Sequence, residues 1–156
     1  MEYGLLVLRV VAGFLVAWRG RERFGRSGAA RLSELGYRAP ATMALLAGLA
    51  EVTGGLLLAL GFLTPLAAFA IAVVALNRIA VRLGREGADA PVLVLAVAVA
   101  LAATGPGQIS IDRALGWDDE LSGLAWAGLI LGAAALTAFF TITLGRGRAE
   151  SMEVPA

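Results

Sequence analysis

Few charged side chains lie inside the long apolar stretches of this chain, and those few are its candidates for chemistry. Glu51 lies near the centre of the apolar run at residues 40–64, and Arg78 lies in the run that follows. An ionisable group in such a run is costly unless a partner compensates it. If a tight turn joins two helices with a rise of about 1.5 Å per residue, both residues are roughly 18 Å from the same membrane edge. We therefore predict a Glu51–Arg78 ion pair. Its remaining hydrogen bonds are assigned to Asn77 or Thr53.

Two uses of this pair remain open. As a structural clamp it would fix the register of the two helices, which is a common role of buried ion pairs. As a functional pocket it would bind a quinone, with Arg78 donating to a ring carbonyl while Glu51 accepts or relays a proton.

The composition indicates that the surrounding medium is lipid. The chain is 59% hydrophobic, its mean hydropathy is +0.81, and its charges lie in short patches between apolar runs. All thirteen basic residues are Arg, and there is no Cys or His. These absences argue against an iron–sulfur cluster, a dithiol redox pair, a His-ligated haem, an ordinary zinc site, and catalysis by the isolated chain. A net charge of +1 gives no reason to expect a nucleic-acid partner.

Five apolar runs predict an all-α polytopic transmembrane helix bundle, with spans at residues 3–18, 40–64, 66–83, 91–104 and 121–144. The fourth run alternates Val and Ala, but a lone strand in lipid would leave its backbone unpaired, so a short helix is favoured. The first run is predicted to be a retained helix, because it lacks a basic n-region and Arg19 follows it where a signal peptide would have small residues.

The distribution of Arg predicts the orientation in the cell membrane. The loop at residues 19–38 carries six Arg, and the third loop and the tail carry two each, against Arg113 alone on the other side. Since cytoplasmic loops are rich in Arg and Lys, the N-terminus should be outside and the C-terminus cytoplasmic. Arg9, inside the first span, is expected to snorkel outward. Ser27 is expected to cap a short surface helix, and Ser110 or Asp112 an interfacial one.

Small and aromatic residues predict where helices pack and where they meet the headgroups. One small-residue stripe on the second span comprises Ala50, Gly54, Gly55 and Ala59. Gly128 and Gly132 on the fifth span form another, which suits either a partner helix or packing within the same bundle. Trp18, Trp117 and Trp126 are expected to be interfacial anchors, and Trp18 could also stack on a flat ligand.

Three segments of the chain resemble the DoxX family of small integral membrane proteins. They are RGRERFG at residues 19–25, AEVTGGLLLALGFLTP at residues 50–65 and TGPGQISID at residues 104–112. The candidate site residues of this first-helix motif are Arg19, Gly20 and Arg23 of the first segment, together with the preceding Trp18. Arg19 stands where the family often has His. The resemblance implies a four-helix membrane unit at residues 1–116. Beyond it we expect an external loop end with an additional transmembrane helix at residues 117–145, and a disordered cytoplasmic tail at 146–156.

The resemblance also implies a role. Members of the family are sometimes linked to quinone reduction or to the oxidation of thiols and sulfur compounds. The chain is therefore expected to be an integral membrane subunit auxiliary to a quinone-linked oxidoreductase or another membrane redox assembly, with other membrane or membrane-associated subunits as partners. No intrinsic cofactor is expected, and a quinone is the candidate for a bound one. The alternative is a purely structural accessory subunit. A transporter would need a continuous polar path, for which the spans supply too few polar groups.

Overall fold

The chain folds as a bundle of helices, shown here by a computed structural model that describes residues 2–24, 26–82, 89–105, 107–117 and 123–145. The described residues form helices and no strand. The helices are α1 (Glu2–Arg21), α2 (Arg26–Glu34), α3 (Pro40–Leu60), α4 (Thr64–Arg82), α5 (Asp89–Thr104), α6 (Ile111–Ala114) and α7 (Leu124–Gly145). The predicted disordered tail at residues 146–156 lies outside the described residues.

Four helices in the described part of the chain are long and apolar enough to cross a membrane. They are Tyr3–Arg21 of α1, α3, α4 and α7, with 19 to 22 residues each. The prediction of an all-α bundle is confirmed, with four candidate spans. The helix α5, which was predicted as the fourth of five spans, is equally apolar but has only 16 residues. At about 1.5 Å per residue it is roughly 24 Å long, which is shorter than a typical hydrocarbon core.

The bundle has two ends, which we name after their contents. The turn end holds the N-terminus of α1, the α3–α4 turn at residues 61–63, and α6, whose Asp112 N–H donates to the Gly61 carbonyl at 2.9 Å. The arginine end holds the C-termini of α1, α4 and α7 together with α2. There the Arg38 N–H donates to the Gly145 carbonyl of α7 at 2.9 Å. The helices α1, α3 and α4 therefore alternate in direction, and α7 runs parallel to α4.

Glycines bring α1 and α3 into close contact. A Cβ on Gly55 would lie 2.5 Å from the Gly13 carbonyl oxygen and 2.7 Å from the Ala17 backbone nitrogen, both on α1. Gly54, one residue earlier, instead faces α4, where an added Cβ would lie 3.3 Å from the Ile71 side chain. The stripe predicted on the second span therefore divides between two neighbouring helices. Its Ala59 contacts α1 and its Ala50 is half-buried.

The core between α4, α5 and α7 is built mainly from alanine. Small side chains allow these helices to approach closely, which suits helix association in lipid. The core alanines are Ala67, Ala68, Ala72, Ala98, Ala102, Ala127 and Ala134. The hydroxyl oxygen of Thr141 on α7 lies 3.1 Å from Oδ1 of Asn77 on α4, which adds a polar contact; the same hydroxyl also lies within hydrogen-bond distance of the Thr137 and Ala138 carbonyls. The C-terminal helix is thus an integral part of the bundle and not an appendage.

Two local predictions need correction. The α3–α4 turn was placed at Thr64-Pro65, but Gly61 ends α3 in the left-handed conformation and both of those residues already belong to α4. Proline suits the first turn of a helix because its missing N–H has no partner there. The surface helix α2 packs on α3 and exposes Arg31. It begins at Arg26, however, so Ser27 lies in its first turn and not at the capping position.

Candidate functional site

Glu51 is the centre of a buried charge cluster on α3. The residue is 4% exposed, and Nη2 of Arg78 lies 2.9 Å from its Oε1 and 3.1 Å from its Oε2. Nε of Arg23 lies 2.7 Å from Oε2. The predicted Glu51–Arg78 ion pair is therefore present, and Arg23 joins it. Both carboxylate oxygens are held by guanidinium groups, so α3 is linked to α4 and to the segment after α1.

Two glycines allow Arg23 to reach Glu51. A Cβ on Gly20, in the last turn of α1, would lie 2.8 Å from the Glu51 Cβ, and one on Gly48 would lie 3.3 Å from the Arg23 Cβ. Arg23 lies in the turn after α1, where its N–H donates to the Gly20 carbonyl at 3.1 Å. The contact of Arg23 with Glu51 has one signal in the sequence, which is the position of these glycines. Gly20 precedes Arg23 by three residues, and Gly48 precedes Glu51 by three.

Glu51 lies level with different parts of its three neighbouring segments. The sequence placed this carboxylate near the membrane centre, because it lies midway along an apolar run. In the structure it packs against Gly20 and is level with the polar end of α1, where Trp18 and Arg19 are exposed. The guanidinium of Arg21 lies 5.0 Å from the centre of the Trp18 ring, a cation–π contact. The cluster therefore lies midway along α3 but level with the last turns of α1 and α4.

Thr53 and Asn77 do not complete the hydrogen bonds of the ion pair. Thr53 is exposed and donates to the Leu49 carbonyl at 2.6 Å. Asn77 donates to the Val73 carbonyl at 2.9 Å and accepts from Thr141 on α7. The helical rotation of about 100° per residue explains both cases, since it turns each of them away from its charged neighbour on the same helix. This part of the prediction was wrong.

A second buried charge cluster, at the turn end, was missed by the sequence reasoning. Arg9 was expected to snorkel outward, but it is only 2% exposed. Its guanidinium donates to the Ala59 carbonyl at 3.3 Å and to the Ile109 carbonyl, and it interacts electrostatically with Asp112. The cause is that three parts of the chain meet around Arg9, since Ala59 belongs to α3, Ile109 precedes α6 and Asp112 lies in α6.

Asp112 is fully buried and caps α4 across the bundle. Its carboxylate accepts hydrogen bonds from the N–H of Leu63 at 2.7 Å and from the N–H and hydroxyl of Thr64 at 3.0 and 2.8 Å. A carboxylate at a helix N-terminus is stabilised by the free N–H groups and by the helix dipole. The cap of α6 itself is Ser110, which accepts from the N–H of Arg113 at 3.2 Å. Of the two residues proposed for that cap, Ser110 is the correct one.

The glycine stripe on α7 faces away from the bundle. Gly128 and Gly132 are exposed, and a Cβ added to either would meet no described atom within 4 Å. On another side of α7, near the turn end, an apolar groove of about 250 Å³ separates it from α4. Its walls include Leu66, Phe69, Trp126 and Ile130. The stripe therefore has no packing role within the described part of the chain.

Comparison with known proteins identifies the family. The DoxX family profile matches residues 4–82, just over half of the chain, which covers α1 to α4 and includes Arg23, Glu51 and Arg78. The chain belongs to the DoxX family. No curated protein and no solved structure matches it. Together with its apolar helices, the family shows that this DoxX protein is a multi-pass membrane protein in a lipid bilayer. The match is shorter than the expected unit at residues 1–116, and the segment at residues 104–112 lies beyond it.

Proposed function

We propose that this DoxX protein is an auxiliary membrane subunit of a quinone-linked oxidoreductase or another membrane redox assembly. The observation that carries the auxiliary role is the outer face of α7, where Gly128 and Gly132 leave the backbone open to a neighbouring helix. Small residues at this spacing allow close approach of transmembrane helices. The redox part of the proposal rests on the family alone.

The Glu51 cluster supports a structural role within that subunit. Both oxygens of its carboxylate are already bound by Arg23 and Arg78, as expected of a clamp that fixes three segments of the chain. A quinone is the ligand proposed for the same cluster if the assembly uses one. It would take its hydrogen bonds from the remaining N–H groups of Arg78, whose side chain is 28% exposed.

We test the auxiliary role by purification from the native membrane in a mild detergent, followed by mass spectrometry of co-eluting proteins and extracted quinones. Gly132→Leu should release a stoichiometric partner subunit, because the added side chain blocks the close approach. Ala96→Leu is the matched control, since it adds a similar side chain on an exposed position of α5. Purification without any stoichiometric partner, or equal loss in both variants, would refute the docking role of α7.

The quinones extracted from the same samples test the redox part of the proposal. A quinone retained at a fixed ratio by the wild type and lost in Arg78→Leu, with the partner still bound, would support a quinone pocket. If a partner without redox centres co-purifies and no quinone is enriched, the protein is a purely structural subunit. The docking role of α7 would then stand without the redox assignment.

We further propose five membrane crossings with the N-terminus outside and the C-terminus in the cytoplasm. The arginine end carries Arg19, Arg21, Arg23, Arg31, Arg38 and Arg82, whereas Arg113 lies at the turn end. Because Arg is enriched on the cytoplasmic side of membrane proteins, this asymmetry indicates that the arginine end is cytoplasmic and the turn end is external. The chain has no Cys, so single cysteines report position without background. A membrane-impermeant thiol reagent on intact cells should label Gln108→Cys but not Ser33→Cys, and the opposite result would reverse the orientation.

A further inference from the structure

Three guanidinium groups at the arginine end share one carboxylate. Arg23 and Arg78 contact Glu51 at 2.7 and 2.9 Å, and Arg19 interacts with it electrostatically. Arg19 and Arg23 also interact electrostatically with Arg78. We call Arg19, Arg23 and Arg78 the arginine cluster. Three positive charges against the single negative charge of Glu51 leave a surplus of two.

The surplus charge faces outward. Glu51 is 4% exposed, whereas the side chains of Arg23 and Arg78 are 19% and 28% exposed and Arg19 is exposed. A guanidinium carries five N–H donors. Nη2 of Arg78 donates to Glu51, and Nε of Arg23 lies 2.7 Å from the carboxylate without making a hydrogen bond to it. The accessible surface therefore presents N–H donors with the carboxylate behind them. Such a fork of donors suits the oxygens of a phosphate group.

The neighbouring surface of α1 indicates that this phosphate belongs to a lipid. Trp18 is exposed beside Arg19, and tryptophan is enriched where the headgroups meet the hydrocarbon. Phe14 and Leu15, one turn earlier on α1, are 61% and 59% exposed. Acyl chains can thus lie along α1 directly next to the cationic surface. A soluble phosphate would gain nothing from these apolar side chains.

We propose that the arginine cluster binds the phosphate of an anionic glycerophospholipid at the arginine end of the bundle. The guanidinium groups bind the phosphate oxygens, and the exposed apolar surface at Phe14 and Leu15 packs against an acyl chain. Binding is independent of which assembly the protein joins, because all of these residues belong to α1, the turn after it, and α4.

Native mass spectrometry of the detergent-purified protein, titrated with phosphatidylglycerol or phosphatidylcholine, tests this proposal. We expect one phosphatidylglycerol molecule to be retained much more strongly than phosphatidylcholine. Arg19→Gln should weaken its retention about fivefold, the effect of one positive charge near an anionic membrane surface. Arg31→Gln is the matched control, because it removes the same charge from an exposed site on α2 and should change retention less than about twofold.

Three results would overturn the proposal. The first is equal retention of the two lipids by the wild type. The second is equal loss of phosphatidylglycerol in Arg19→Gln and Arg31→Gln, which would show a general charge effect. The third is displacement of phosphatidylglycerol by millimolar inorganic phosphate, which would assign the cluster to a soluble anion. Arg19 is exposed, so Arg19→Gln should keep the wild-type melting temperature, and this measurement confirms that the variant is folded.

Discussion

The clearest quantitative prediction concerns Asp112, the buried carboxylate at the turn end. Asp112→Asn keeps the size of the side chain but removes its charge and replaces one acceptor oxygen with an N–H₂ donor. In the wild type, the N–H groups of Leu63 and Thr64 donate to the two carboxylate oxygens of Asp112 at 2.7 and 3.0 Å. In the variant one of these N–H groups must face another donor. Arg9, which is also buried, loses its opposite charge.

The expected loss follows from these contacts. Removing one partner of a buried charge pair typically costs about 3–5 kcal/mol, because the remaining charge stays buried without compensation. For a chain of this length, 1 kcal/mol corresponds to roughly 2–4 °C in melting temperature, so we expect a decrease of about 10 °C. Removing an exposed charge typically changes stability by less than about 0.5 kcal/mol.

The assay is thermal unfolding of the purified protein in one detergent, followed by intrinsic fluorescence. Glu34→Gln is the control, because it removes a carboxylate that is exposed on α2. If both variants melt within about 2 °C of the wild type, the buried pair does not stabilise the fold and the reasoning about the turn end is wrong. A double variant with Arg9→Met should lose less stability than the sum of the single changes, since the two groups interact.

Three further predictions use the same unfolding assay. Glu51→Gln should cost about 1–3 kcal/mol, less than Asp112→Asn, because its arginine partners are partly exposed; unchanged stability would refute the clamp. Gly55→Ala should cost about 1–3 kcal/mol, because the new Cβ would lie 2.5 Å from a backbone oxygen of α1, whereas Gly132→Ala should be neutral or stabilising. Thr141→Val should cost about 1 kcal/mol by removing the hydrogen bond to Asn77, and an equal cost of this change in an Asn77→Leu background would contradict that assignment.

The sequence was sufficient to predict the part of the site formed by two helices that follow one another in the chain. The Glu51–Arg78 pair could be predicted because a tight turn brings two antiparallel helices to matching levels. Thr53 and Asn77 were assigned wrongly because level along the helix was considered without rotation around it. The electrostatic interaction of Arg9 with Asp112 joins residues more than a hundred positions apart, and nothing local in a single sequence encodes it.

The two charge clusters and the glycines between them explain how α1 is held. Helices in lipid gain little from hydrophobic association, so their register depends on close packing and polar contacts. α1 packs chiefly against α3, and Arg9 joins it to the turn end while Arg23 joins its other end to Glu51. Gly13 and Gly55 meet between these two contacts. Because the three contacts lie along one helix pair, sliding α1 by a single turn would break all of them at once. Arg9, the one charged residue within the predicted first span, is therefore among the residues that give α1 a single position.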